Sequence, residues 1–137
     1  MKKKKIIAII LALVVAMVMP LTAYAVDNQI QPRYSQIVRA SASISESGTS
    51  ILGSCSILTN GNYNLQVRLY LQLSDTGNSN DWTTYGSYQV TVNCNSSASV
   101  EKPFANVPES NYYRIKANIT VLGVSSPDNV TVYSRNL

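Results

Sequence analysis

The chain has 137 residues, two cysteines, no histidine and a formal net charge of +4. Four of its basic residues are the lysines at positions 2–5, and the part that follows a cut after Ala25 is neutral. A neutral chain gives no charge-based argument for binding nucleic acid or membrane surfaces in general. The lack of histidine argues against Ser-His-Asp and Cys-His catalysis and removes the commonest zinc ligand.

Residues 1–25 have the three parts of a secretory signal peptide. The lysines precede an apolar run at 6–19, and Pro20 and the small-residue site Ala23-Tyr24-Ala25 follow it. The competing interpretation is a membrane anchor, but the run is shorter than the roughly 20 residues that span a bilayer. The pattern predicts cleavage after Ala25 and a secreted, extracellular protein with Gram-positive-like export. Membrane contact is expected only through the uncleaved signal.

From Tyr34 onwards, apolar residues recur at every second position, and turn residues interrupt the pattern at short intervals. The clearest strand is 63–73, whose odd positions are all apolar or aromatic and whose even positions are polar except for Tyr70. This alternation buries one face of a strand and exposes the other. Six further strands are predicted at 37–44, 50–58, 83–94, 98–102, 112–122 and 130–133.

These seven short strands, with no helical periodicity, predict an all-β fold. The expected architecture is a single antiparallel β-sandwich of the immunoglobulin type over residues 34–137, after a short leader at 26–33. A small closed barrel is the alternative.

The two cysteines, Cys55 and Cys94, share the parity of the apolar residues in their strands and should point into the core. In an exported chain this pattern predicts one intramolecular disulfide. The bridge would close a loop of about 40 residues and contribute roughly 4 kcal/mol. Two free thiols are the alternative, whereas two thiols without histidine supply only half of a tetrahedral metal shell.

Residues 107–117, VPESNYYRIKA, resemble the stretch before and within the F strand of fibronectin type III domains. In that family an apolar residue and a proline precede an inward tyrosine, and Val107 and Tyr113 occupy the matching places. The resemblance implies that Tyr113 forms a tyrosine corner, in which the hydroxyl bonds back to nearby backbone.

The layout of the chain also resembles a family of small uncharacterised secreted proteins of Gram-positive bacteria, a domain of unknown function. The shared features are a Lys-rich signal, an Ala/Ser-rich first strand and an aliphatic strand before a turn rich in Ser, Asn and Asp. Three short motifs accompany them: Pro32-Arg33-Tyr34, Trp82-Thr83-Thr84 and Tyr112-Tyr113-Arg114. The resemblance implies a secreted domain with no known catalytic residues.

The acidic residues do not form an evident catalytic or metal-binding pattern. They are scattered, mostly beside turns, so the sequence predicts no carboxylate pair of the kind that a glycosidase needs. Asp75, Asn78, Asn80 and Asp81 share one loop and could coordinate calcium, but the preference of Asp and Asn for turns explains them without an ion. No cofactor or metal is predicted.

The candidate binding site is the outward face of the predicted sheet. A hairpin with Leu73 opposite Trp82 places Tyr70 opposite Tyr85 and Arg68 opposite Ser87, and other odd-sum registers keep the faces and shift the partners. Strand 112–122 is expected beside strand 63–73. The face would combine three tyrosines and three cations: Tyr70, Tyr85, Tyr112, Arg68, Arg114 and Lys116. The alternative is cross-strand packing with solvated charges.

These observations predict a secreted, non-catalytic binding or structural module that contacts a cell-wall glycan or another protein through this face. The alternative is a secreted enzyme or enzyme inhibitor that acts through the loop at 74–81. Assembly through exposed strand edges is a third interpretation.

Overall fold

Alternating apolar residues form five β-strands in the computed structural model, which describes residues 35–137. The strands are β1 (Ile37–Ser47), β2 (Ser50–Ser74), β3 (Thr83–Phe104), β4 (Tyr112–Leu122) and β5 (Asn129–Tyr133). Every pairing between them is antiparallel, which confirms the predicted all-β antiparallel class. No helix long and apolar enough to span a bilayer occurs in the described part of the chain. The predicted signal peptide and leader lie outside the described residues.

Two of the strands are much longer than the sequence predicts. The segments predicted at 50–58 and 63–73 are both parts of β2, and those at 83–94 and 98–102 are both parts of β3. The β2–β3 ladder shifts register between Leu58 and Asn62, where Ser96 on the facing part of β3 has a positive φ of 69°. The chain therefore has five strands rather than seven, because the sheet continues across this irregularity instead of ending in a turn.

The order of pairing divides the sheet into two parts that share β2 and β3. The N-terminal half of β2 lies between β1 and the C-terminal half of β3. The C-terminal half of β2 lies between the N-terminal half of β3 and β4, and β5 pairs with the far side of β4. The sheet is curled, with β1 also packing against β4 and β5.

Apolar side chains from both parts of the sheet fill one core. Leu65, Leu69 and Ile115 are fully buried. A Cβ atom built on Gly53 would lie 2.5 Å from Ile115 Cδ1 and 3.3 Å from Phe104 Cε2. The N-terminal half of β2 therefore approaches β4 across the core, and only glycine fits at this contact without a shift of the ring or the isoleucine.

The two cysteines are free and fully buried, so the predicted disulfide is not present in the structure. Cys55 lies opposite Val100, whereas Cys94 lies opposite Tyr63, eight residues further along β2. The Cys94 sulfur instead contacts Thr59 Oγ1 at 3.3 Å. The inward parity predicted for both side chains is correct, but it did not pair them, because the β2–β3 ladder places each cysteine opposite another residue.

The hydroxyl of Tyr113 ties the β3–β4 connection to the sheet. It donates to the Pro108 carbonyl at 2.8 Å and accepts from the Ser110 backbone N–H at 2.7 Å. This is the backward hydrogen bond that the resemblance to fibronectin type III domains implies for Tyr113. It fixes the start of β4 and with it the side chains that follow on this strand.

The carboxylate of Asp128 joins the β4–β5 turn to the start of β1. It accepts hydrogen bonds from the backbone N–H groups of Ser35, Gln36 and Ile37 at 3.1, 2.6 and 2.9 Å. Partial desolvation raises the pKa of Asp128, but the hydrogen bonds outweigh it, and the net pKa lies below its ordinary value. The same contact holds the start of the described chain against the β4–β5 turn.

Candidate functional site

The outer face of the sheet is formed by the polar side chains that alternate with the core residues of β2. Arg68 and Tyr70 project from it because Val67, Leu69 and Leu71 are fully buried on the opposite face. Residues directly opposite in an antiparallel ladder point to the same side, so the outer face extends across β3, β4 and β5. We use "outer face" for these outward positions of β2, residues 64–72, and their paired neighbours.

The structure brings four of the six predicted site residues together on the two central strands of this face. Tyr70 pairs with Lys116, and the Lys116 Nζ atom lies 5.8 Å from the centre of the Tyr70 ring. On one side of this pair Gln72 pairs with Arg114, and on the other side Arg68 is the next outward residue of β2. The predicted face depends on the strand around Tyr112 lying beside the strand around Arg68, and β4 does pair with β2.

The other two predicted residues lie at the margin of the face. Tyr112 pairs with Ser74 at the end of the β2–β4 ladder, and its ring covers Gly77 of the β2–β3 loop. Tyr85 does not lie opposite Tyr70, whose partner in β3 is Ser87. The predicted hairpin register is therefore wrong by two residues.

The loop and a bulge each contribute one residue to the shift of the hairpin register, because Leu73 pairs with Thr83 instead of Trp82 at the loop end. Between the pairs Leu71–Gly86 and Gln72–Thr84, Tyr85 has no partner in β2. Its hydroxyl donates to the Asn106 carbonyl at 2.8 Å. On the Tyr70 side of the bulge, the residue numbers of each β2–β3 pair again add to an odd number. The outward residues therefore stay outward and only their partners change, which is the outcome expected for any odd-sum register.

Arg114 contacts three side chains of the outer face and its margin. Its guanidinium carbon lies 4.1 Å from the centre of the Trp82 ring and 4.5 Å from that of Tyr133. Its Nε atom donates to Gln72 Oε1 at 2.9 Å. Burial lowers the pKa of Arg114 and the nearby Tyr133 raises it, but a guanidinium stays charged in proteins. The two rings and the amide fix a positive charge in place, and none of them neutralises it.

Two of these partners were not assigned to the site from the sequence. Trp82 directly precedes β3, at a strand start where the alternation does not determine on which face a side chain lies. Tyr133 could have been found, because Val130 and Val132 point inwards on β5 and leave Tyr133 on the outward side. Its side chain is 50% exposed and reaches Arg114 from the strand beyond β4.

The rest of the outer face is built from amide and hydroxyl groups around Arg68. The Nε atom of Arg68 donates to Gln89 Oε1, and Thr131 Oγ1 donates to Asn118 Oδ1 at 3.1 Å. A shallow depression follows along β2 and β4, lined by Gln66, Arg68, Asn118, Thr120 and Asn129. These groups offer both hydrogen-bond donors and acceptors to a ligand that lies across the strands.

The charge of the outer face has one sign. Its outward positions carry Arg68, Arg114 and Lys116, and no Asp or Glu among residues 35–137 occupies an outward position in these paired segments. The described residues as a whole contain six basic and six acidic side chains. The positive charge is therefore a local property of this face and not of the chain.

A second depression, at the end of β2, has the opposite character. Asp75, Asp81 and Glu109 are among its lining residues. The hydroxyl and backbone N–H of Thr76 and the hydroxyl of Ser74 donate to the Asp81 carboxylate and lower the pKa of this group. The Asp81 carboxylate thus organises its own loop. Within residues 35–137, no group of three or more His, Cys, Asp or Glu side chains is placed to hold a metal ion.

Comparison with known proteins gives no family. No family model and no curated protein matches the chain. Among solved structures it is similar to a catalytically inactive OgpA from Akkermansia muciniphila, crystallised with an O-glycopeptide (glycodrosocin) substrate. The two are 16% identical with a TM-score of 0.43, and the similarity covers 77% of this chain and 31% of the other. The chain thus spans about a third of that protein's length, and a likeness of this size carries no argument about function.

Proposed function

We propose that this protein is a secreted, non-catalytic binding module that holds an acidic cell-surface polysaccharide on its outer face. The observation that carries the proposal is the Arg114 guanidinium, held against the rings of Trp82 and Tyr133 on a face where residues 35–137 place no carboxylate. The secreted location rests on the signal-peptide pattern of residues 1–25.

The chemistry of the outer face matches the two kinds of group on an acidic sugar. Flat aromatic surfaces such as the exposed ring of Tyr133 pack against the apolar faces of sugar rings, and amide and hydroxyl side chains bond to sugar hydroxyls. A guanidinium binds a carboxylate or phosphate through parallel N–H groups. Arg68 and Arg114 offer two such groups on adjacent strands.

The shape of the face favours a polymer over a small molecule. Small ligands prefer concave, mostly apolar pockets that enclose them. The outer face instead has open, polar depressions, one between β2 and β4 and one between β2 and β3. From Arg114 to Thr120 it extends about 20 Å along the strand, enough for several sugar units in a row.

The fold that we propose for this module is an immunoglobulin or fibronectin type III-like β-sandwich. The pairing of β2 with β4, the Tyr113 hydrogen bond to Pro108 and the close approach of Gly53 to Ile115 across the core support it. In such an architecture the loops and one sheet face are free to bind a partner.

The proposal is tested by binding of the chain without residues 1–25 to purified cell wall and to a soluble uronate polymer. The double variant Arg68→Gln/Lys116→Gln should bind the uronate polymer roughly tenfold more weakly at low salt, because two exposed charge contacts are lost. The loss should shrink as salt rises, since exposed charges are screened. A neutral glucan should bind weakly to both proteins.

The matched control is Arg39→Gln, which removes an exposed cation of β1, outside the outer face. It should bind like the wild type. Equal weakening by Arg39→Gln, or unchanged binding by the double variant, would contradict a site on the outer face. Thermal melting of all three proteins shows that any loss of binding is not a loss of fold.

A further inference from the structure

One edge of β3 has no strand beside it in the described part of the chain. β3 is 22 residues long and pairs along one side with β2. None of residues 35–137 forms a strand on its other side. Its backbone N–H and C=O groups on that side have no strand partner within these residues, which is the arrangement that lets another strand add to a sheet.

Residues 87–95 of this edge have few of the features that usually prevent such pairing; the charge placed against them is Lys102 Nζ, 5.1 Å from the centre of the Tyr88 ring. Soluble proteins protect exposed edges with charged residues, prolines or bulges. From Trp82 to Val100 the chain contains no charged residue and no proline. Two irregularities interrupt this segment, the bulge at Tyr85 and the register shift at Ser96. Residues 87–95 between them form an unprotected edge of about 30 Å.

The same segment is complementary to itself. Its outward side chains are exposed, polar and uncharged: Ser87, Gln89, Thr91 and Asn93. Its inward side chains are apolar and only partly buried: Tyr88, Val90 and Val92. An antiparallel pair of two such segments with a two-fold axis at Val90 places Tyr88 opposite Val92, so apolar residues meet apolar residues. Polar residues then meet polar residues on the other face.

We propose that a second copy of this chain pairs with it through the free edges of β3, antiparallel and about a two-fold axis at Val90. A two-fold interface uses the same patch on both copies, and the alternation of residues 87–93 meets this requirement. The absence of charge removes the repulsion that like charges would cause when a segment pairs with itself. The partly buried Val90 and Val92 become covered by the partner's equivalent residues.

The pairing has a consequence for the outer face. The N-terminal half of β3 belongs to the same part of the sheet as β2, β4 and β5, so the dimer joins four strands from each copy. The two outer faces then lie side by side on one continuous surface. Two linked sites bind a polymer more tightly than one, because the second contact is intramolecular. The dimer itself does not depend on the proposed ligand.

The test is the mass of the chain without residues 1–25 in solution, measured by sedimentation equilibrium without any polysaccharide. The wild type should have twice the mass of one chain. Gln89→Lys/Thr91→Lys places lysines directly opposite each other and should raise the dimer dissociation constant about tenfold or more. Gln89→Glu/Thr91→Glu should do the same. An equal mixture of the two variants should form a dimer again, because opposite charges then meet.

The control Ser41→Lys/Ser45→Lys adds the same charge to two exposed positions of β1 and should remain a dimer. A wild type that stays monomeric, a Lys variant that still dimerises, or a mixture that stays monomeric would overturn the proposal. Restored pairing in the mixture also shows that both variants fold. A monomer whose β3 edge amides resist hydrogen exchange would show that another part of its own chain covers the edge.

Discussion

Arg114 shows how a single side chain can tie several elements together on the outer face. Its contacts with Trp82, Tyr133 and Gln72 link residues from the start of β3, from β5 and from β2. Those contacts hold the guanidinium in one position and leave its charge uncompensated. A fixed and unneutralised cation loses little conformational freedom when an anionic group binds, which favours affinity.

The two thiols give a residue-scale prediction. Burial raises the pKa of the Cys55 thiol from its ordinary value of 9.0 to about 11, because the thiolate is poorly solvated in the core. Folded protein at neutral pH should therefore react very slowly with a thiol reagent, and unfolding should release two reactive thiols. An unfolded, unreduced sample with no reactive thiol would contradict the free cysteines of the structure.

The raised pKa of Cys55 also predicts how the stability of the fold changes with pH. A thiol whose pKa is higher in the folded state ionises first in the unfolded chain, so its contribution to stability is intact below about pH 9. That contribution should then be lost as pH rises from about 9 to about 11. Cys55→Ala should weaken this alkaline loss.

Among the elements, the contact between the β4–β5 turn and β1 gives the clearest prediction. Asp128→Asn keeps the shape of the side chain but removes the charge that three backbone N–H groups solvate. The free energy of unfolding at neutral pH should fall by about 1 kcal/mol, a value at the low end for bonds to a charged group because the site is largely solvated. Chemical denaturation measures it.

The pH dependence distinguishes this contact from general packing. Because the pKa of folded Asp128 is lowered, its stabilisation is present above its ordinary pKa of 3.8 and is lost as pH falls through the lower folded value. Wild type and Asp128→Asn should therefore converge in stability in strong acid. Asp75→Asn, an exposed carboxyl of the β2–β3 loop, is the control and should change stability little. A difference that persists undiminished in acid would contradict the account.

The hairpin of β2 and β3 shows what the sequence can predict about an element. The alternation of apolar residues in 63–73 correctly assigned Arg68 and Tyr70 to the exposed side, because burial of one strand face is a local property. The predicted partner of Tyr70 was wrong, because the register of the hairpin depends on the loop held by Asp81 and on the bulge at Tyr85. A bulge adds one residue to one strand and leaves no separate mark in the pattern.

At the scale of the whole molecule, the sequence predicted the class and the inward and outward faces better than the count of strands. Asn60-Gly61 is a strong turn signal, yet β2 continues through it. The cysteines show the same limit, because inward parity places two residues in one core without determining whether they bond to each other. Both outcomes depend on how distant parts of the sheet meet, which a local pattern does not contain.

The uneven distribution of charge over the surface of the described residues is also a property of the whole fold. Folding places three cations on the outer face and keeps the acidic side chains of residues 35–137 in loops, in the β4–β5 turn and on the other part of the sheet. These residues have equal numbers of basic and acidic side chains, and they thereby obtain a surface whose local positive charge acts over a short range in physiological salt.

Chemical-shift mapping tests the central claim most directly. The ¹⁵N-labelled chain without residues 1–25 is titrated with a soluble uronate polymer and followed by amide and indole resonances. The account predicts that shifts concentrate on the outer face, around Arg68 and Lys116 and at the indole N–H of Trp82, the only tryptophan. No shifts, or shifts confined to the loop at 74–81 or to β1, would contradict it.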